Sequence, residues 1–138
     1  MTLVVDASVA VKWFVREPLH DRAMVLLKER QPLYAPDLII AEICNIAWRK
    51  HLKGEISTAH AQSMVDGVCH GTLTLLPSAR LAVVALRTAL LLGHPAYDCF
   101  YLACADAIGG TVVTADQRFL GKLAGTDYAM RARSLADG

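Results

Sequence analysis

Short runs of consecutive apolar residues alternate along this chain with longer segments whose apolar residues recur at helical spacing. The first run, residues 2–5, carries Leu3-Val4-Val5 without a polar break. Such a run predicts a strand buried on both faces, as in a parallel sheet. Ser8 is placed to cap a short helix over about 9–15, and Pro18 suits the first turn of a second helix reaching about Glu29. Leu33-Tyr34-Ala35 reads as a strand. Pro36 and Asp37 then open a helix to about Leu52, stopped by Lys53-Gly54. Ser57 caps a helix ending near His70-Gly71, and residues 72–76 form a third strand. Pro77-Ser78 begin a helix closed by Gly93. Pro95 precedes a helix over about 97–108, ended by Gly109-Gly110. Residues 111–114 are a fourth strand, 116–123 a last short helix, and 128–132 a candidate fifth strand at the sheet edge.

Strands that alternate with helices or helix pairs predict an α/β fold with a mostly parallel sheet of four to five strands. With 138 residues, and no linker, repeat or low-complexity tract, the chain reads as one domain over 1–138. Hydrophobic residues make up 54% and charged residues 20%, which excludes a disordered chain. The net charge of +1 is too small for polyanion binding by overall field, so any such binding needs a local patch. Cys44, Cys69, Cys99 and Cys104 show no metal or disulfide spacing and read as small buried hydrophobes in a reducing cytoplasm. Asp6 breaks the first apolar run and no basic segment precedes it, which argues against a signal peptide. The most apolar predicted helix, around 81–92, contains Arg87 and is too short for a bilayer, so no membrane role is expected.

Four acids stand against this apolar background. Asp6 ends the first strand, Glu42 interrupts Leu38-Ile39-Ile40-Ala41 and Ile43-Cys44, Asp98 opens an apolar helix, and Asp116 follows the fourth strand. Carboxylates are seldom buried without a partner. In an open α/β sheet, ligands bind beyond the carboxyl ends of the strands, where Asp6 and Asp116 fall. Right-handed crossovers can bring Glu42 and Asp98 to the same edge. Two carboxylates about 4 Å apart repel by roughly 4 kcal/mol at an effective dielectric near 20. A converged set must therefore hold protons or bind a cation, and all-oxygen ligation suits Mg²⁺ or Mn²⁺. Such a centre predicts phosphodiester hydrolysis without a side-chain nucleophile. Each acid alone also fits a plain helix cap or a solvated helix position.

Ser8 and Thr114 are candidates to support a carboxylate, and Asn45 shares a helical face with Glu42 and Arg49. Asp106 is eight residues beyond Asp98 on the same helix and reads as structural. The histidines show no ligand spacing, so no zinc site is expected.

The ordered set Val4-Val5-Asp6-Ala7-Ser8-Val9-Ala10-Val11-Lys12-Trp13-Phe14, Ala35-Pro36-Asp37-Leu38 with Glu42, Ile43 and Asn45, Tyr97-Asp98-Cys99-Phe100-Tyr101-Leu102-Ala103, and Val113-Thr114-Ala115-Asp116 resembles the PIN-domain family. The likeness is greatest to the VapC-like toxins of type II toxin–antitoxin modules, and it spans residues 3–123. No single motif is specific; the ordered set is. The resemblance implies a three-layer α/β/α sandwich and a metal-dependent endoribonuclease. It implies a metal and catalytic site on Asp6, Glu42, Asp98 and Asp116, supported by Ser8 and Thr114. Some members carry a further acid just after the last aspartate; here Gln117 and Arg118 follow Asp116, so one metal is the expectation. The resemblance also implies a homodimer and a small antitoxin. Apolar faces on the helices over 9–15 and 18–29 suit the antitoxin.

RNA binding needs positive charge beside the acids. Arg49, Lys50, His51 and Lys53 end one helix, Lys12 and Arg16 lie on the first, and Arg118 and Lys122 on the last. A solvated basic helix end is the plainer reading of the Arg49–Lys53 cluster. Few aromatic residues are free to stack on bases, which points to an RNA recognised by shape. Three other readings compete. A phosphoryl-transfer fold with an aspartate after strand one ranks low, because Ser8 is not a second aspartate and no lysine ends a late strand. A non-catalytic metal- or partner-binding module and a housekeeping RNA-processing nuclease are the others.

Overall fold

Strand β1 (Leu3–Val5) is fully buried, and its neighbours explain why. The computed structural model describes residues 2–137, so positions 1 and 138 of the expected domain lie outside the described residues. β1 is flanked by β2 (Leu33–Pro36) and β4 (Thr111–Thr114), with β3 (Thr74–Leu76) and β5 (Ala132–Ser134) at the edges, giving the order β3-β2-β1-β4-β5. All pairings are parallel, rather than mostly so. Strand side chains alternate between faces. Val4, Ala35 and Val112 enter one core, and Leu3, Val5, Leu33 and Val113 enter the other. Apolar residues are therefore needed at consecutive strand positions, as the sequence has them.

The larger core is closed by α3 (Leu38–Leu52), α4 (Thr58–His70), α5 (Ser78–Leu92), α6 (Ala96–Ile108) and α7 (Gln117–Leu123). On the opposite face, α2 (His20–Lys28) packs Ala23 and Leu26 against the sheet with Leu135. The short α1 (Ala7–Ala10) bridges the layers, with Val9 in one core and Ala7 and Ala10 in the other.

Several local expectations change. Asp6, not Ser8, caps α1: its side chain accepts from the Val9 N–H at 3.2 Å. The helix expected over 9–15 begins at Ala7 and tightens into a 3₁₀ turn over Val11–Trp13. α2 starts at His20 because Leu19 adopts a left-handed conformation, φ 71°, that no helix tolerates. Pro36 ends β2 instead of opening α3. The fifth strand lies at Ala132–Ser134, since Ala129–Arg131 forms a 3₁₀ turn with Met130 fully in solvent. Cys99 and Cys104 are buried, but Cys44 is exposed and Cys69 half-buried. Val9 and Val11 belong to the core and are not available as an antitoxin face. Exposed apolar side chains instead include Trp48 and Leu52 on α3 and Val83, Leu86, Leu90 and Leu91 on α5. Among the described residues no helix is long and apolar enough to cross a membrane.

Gly110 sets the turn from α6 into β4. Its N–H donates to Ala105 O at 2.9 Å, and a Cβ there would sit 2.7 Å from the backbone oxygen of Thr2. That oxygen also accepts from Thr111 N at 3.2 Å, so it has no room to retreat. Gly110→Ala is expected to cost about 1–3 kcal/mol in urea unfolding, the usual scale of overpacking. An unchanged midpoint would show that the strand edge yields freely.

Candidate active site

The chain runs outward from β1 through β2 to β3, then returns to build β4 and β5 on the other side. The sheet's switch point thus lies between β1 and β4, and ligands of such sheets bind beyond the strands' carboxyl ends there. Asp6 is the first residue past β1, and its N–H donates to Val113 O of β4 at 3.4 Å. The Asp6 side chain is only 6% exposed. Ser8 Oγ donates to its Oδ1 at 2.6 Å, and Thr114 Oγ1 donates to its Oδ2. The two hydroxyls are held in turn: Ala115 N donates to Ser8 Oγ at 2.9 Å, and Asp116 N to Thr114 Oγ1 at 3.0 Å. This network seals the ends of β1 and β4 around one carboxylate.

Glu42 and Asp98 meet this edge from α3 and α6. The hydroxyl of Tyr101, a wholly buried residue on α6, donates to Glu42 Oε1. His94, in the turn between α5 and α6, holds Asp98 Oδ2 at 2.6 Å. Asp116 is the N-cap of α7, accepting from Arg118 N at 3.0 Å and Phe119 N at 3.1 Å through Oδ1. A cleft lined by His94, Asp98, Asp116, Arg118 and Lys122 joins the last two acids to exposed basic side chains.

The carboxylates feel one another. Burial raises Asp6 to about 6, against the opposing pull of its Ser8, Thr114 and Val9 hydrogen bonds, and the charge of Asp98 adds to the rise. Burial also raises Glu42; the Tyr101 hydroxyl opposes this and Asp98 again adds to it. Burial and the charges of Glu42, Asp6 and Asp98 push the Tyr101 phenol well up, so it remains a donor. Among the described residues, no lysine or arginine forms an ion pair with any of the four acids. The donor set is hard oxygen with excess negative charge, which fits a hard divalent cation. Among the described residues, however, no three acid, His or Cys side chains are already gathered at ligand distance. Each carboxylate leans on a donor of its own. Asp6, Glu42 and Asp98 interact in one field, and Asp116 joins through the cleft it shares with Asp98.

The outer candidates divide. Asn45 is exposed on α3, and Arg16, Arg49 and Lys53 are exposed. Lys50 pairs with Glu55 at 3.7 Å. Lys12 is buried and pairs with Glu17 at 3.5 Å, so its charge is spent inside the protein rather than offered to RNA. Asp106 pairs with Arg131. Tyr101 and His94 were missed as site residues. Tyr101 had a signal, since it lies three residues after Asp98 on the same helix and shares its face, whereas His94 precedes the helix and only the fold brings it to Asp98.

The family described as PIN domain matches residues 3–123. The chain belongs to the PIN-domain family. Ribonuclease VapC3 of Pyrobaculum aerophilum is 30% identical over 124 residues, covering 88% of this chain and 95% of that protein. The crystal structure of PAE2754, also from Pyrobaculum aerophilum, superposes with a TM-score of 0.71 at 26% identity, over 99% of this chain and 85% of that one. A toxin–antitoxin complex from Klebsiella pneumoniae gives 0.70 at 12% identity, over 96% of this chain and 97% of that one. VapBC2 from Rickettsia felis, bound to a DNA fragment from its promoter, gives 0.67 at 15% identity, over 97% and 98%. The last two likenesses show a shared fold. PIN domains are nucleases and are typically metal-dependent.

The state of Asp6 in this PIN domain has a measurable cost. Folded, it titrates near 6; its ordinary value is 3.8. Between those values the folded state binds the extra proton, so this contribution is complete below about pH 3 and is lost as pH rises through 6. The loss is about 3 kcal/mol at about 1.36 kcal/mol per unit. In EDTA, wild-type stability is therefore expected to fall between pH 4 and pH 7.5 by about 2 kcal/mol more than that of Asp6→Asn. Equal pH slopes in urea unfolding of the two proteins would contradict this.

Proposed function

We propose that this chain is a Mg²⁺- or Mn²⁺-dependent endoribonuclease and the toxin of a type II toxin–antitoxin pair, working as a single PIN domain in the cytoplasm. The observation that carries the proposal is the shared field of Asp6, Glu42 and Asp98 at the sheet's switch point, with no lysine or arginine among the described residues paired to any of them. Its setting in a PIN domain 30% identical to a ribonuclease supports the choice of RNA as substrate. Asp6, Glu42, Asp98 and Asp116 would hold the cation. When bound, the cation supplies the positive charge that polarises a phosphoryl oxygen and acidifies the attacking water.

The chain's own residues do the rest. Ser8 and Thr114 keep both Asp6 oxygens oriented, and Tyr101 keeps Glu42 turned toward α6. Arg118 and Lys122 lie one turn apart on α7 in the cleft with Asp98 and Asp116, where they bind substrate phosphates on either side of the reacting one. The exposed Arg49 and Lys53 extend that basic rim. Apolar surface for a second copy of the chain and for an antitoxin is available on α3 and α5.

RNA cleavage assayed with Mg²⁺ and with EDTA tests this reading. Asp98→Asn and Asp6→Asn are each expected to reduce cleavage by more than about 100-fold, the scale of losing preorganised charge at a reacting centre, and EDTA should abolish it. Undiminished cleavage by a folded double variant would refute the assignment. Arg118→Glu with Lys122→Glu should raise KM about 10-fold while leaving kcat nearly intact, and should flatten the salt dependence of RNA binding. A loss confined to kcat would place these side chains in the chemistry instead.

A further inference from the structure

We propose that His94 is a positioning residue for Asp98, and that its contact with Phe119 holds Asp98 and Asp116 in register for a shared cation. The inference rests on the metal-site reading above and adds a residue that neither the acids nor the family pattern assign.

His94 is fixed from three sides. Gly93 ends α5 in the left-handed region, φ 61°, and the His94 N–H closes the turn on Ala89 O at 3.2 Å. Pro95 follows directly and restricts the backbone beyond it. The imidazole then stacks on Phe119, centroids 5.5 Å apart and planes 29° from parallel. Phe119 is itself 1% exposed and anchored in the larger core. The imidazole Nε2 donates to Asp98 Oδ2 at 2.6 Å, the length of a strong hydrogen bond to a charged acceptor. A flexible exposed histidine would lose its bond to solvent; this one has few other rotamers to visit. Its side chain is 15% exposed.

The same ring couples two acids. Phe119 lies on the first turn of α7, and its N–H donates to Asp116 Oδ1 at 3.1 Å. A continuous path therefore runs from Asp98 through the His94 ring and Phe119 to Asp116, joining α6 to α7 across the cleft. Among the described residues, Asp98 Oδ1 has no hydrogen-bond partner, so the histidine engages one carboxylate oxygen and leaves the other for a ligand. Groups that orient ligating carboxylates in this way typically govern metal affinity by about 10- to 100-fold.

The test is Mn²⁺ binding to the RNA-free full chain, followed by calorimetry and by the Mn²⁺ resonance signal. His94→Phe keeps a ring on Phe119 and removes the donor. His94→Gln returns an N–H near the same place. His94→Phe is expected to weaken Mn²⁺ binding by about 10-fold or more, and His94→Gln to recover most of it. The Mn²⁺ concentration for half-maximal RNA cleavage should rise by the same factor, with kcat largely restored at saturating metal. If His94→Phe does not fold, His94→Ala takes its place with the same expectation. Wild-type Mn²⁺ affinity in folded His94→Phe, or in His94→Ala where that replaces it, overturns the proposal, even if thermal stability has dropped, because a purely structural histidine would act on stability alone. If wild-type protein binds Mn²⁺, Asp98→Asn abolishes binding and His94→Phe does not change it, only the positioning role fails. If wild-type protein binds no Mn²⁺, the metal-site reading fails and takes this inference with it.

Discussion

A carboxylate buried at the junction of β1 and β4 is the constraint around which the rest of this protein is arranged. Asp6 is 6% exposed, and among the described residues no lysine or arginine pairs with it. Burial of a charge is tolerated only with dense hydrogen bonding. Ser8, Thr114 and the Val9 N–H provide that bonding, and each comes from an element whose place the sheet determines. Ser8 sits in α1 because Asp6 caps that helix. Thr114 ends β4, which pairs in register with β1. The sheet order and the site's geometry are thus one arrangement.

The remaining acids repeat this logic at lower burial. Glu42 is held by Tyr101, Asp98 by His94, and Asp116 by the first N–H groups of α7. Each of the four acids thus has hydrogen-bond donors of its own. Asp98 acts on Asp6 and Glu42, while the described side chains form no ready ligand cluster. On the proposed reading, a divalent cation would attract each carboxylate and offset the repulsion among them.

Much of this was legible in the residues. The run Leu3-Val4-Val5 announced a doubly covered strand, and the alternation of strands with helices announced the parallel sheet. The four acids stood out because carboxylates beside apolar runs are costly, a penalty that depends on composition and not on geometry. Other features were not legible. Lys12 looked like a surface cation and proved to be buried against Glu17. Val9 and Val11 looked like an exposed apolar stripe and proved to be core. In both cases the local pattern fits a short helix equally well in either orientation, and only the neighbours decide which face is covered.

His94 and Tyr101 mark the same boundary more sharply. Their spacing from Asp98 is visible in the chain, yet a histidine after a glycine and a tyrosine in an apolar helix have many ordinary explanations. What gives them roles is contact across the fold: Tyr101 with Glu42, 59 positions away, and the His94 ring with Phe119 on α7. The sequence by itself pointed to the alternation of strands and helices, to the family and to the four candidate acids, because periodicity and burial cost act over a few residues. Tertiary structure alone decided which donor each acid leans on and which cations remain free. Those outcomes depend on distances between elements, which pairing and packing set and local sequence does not.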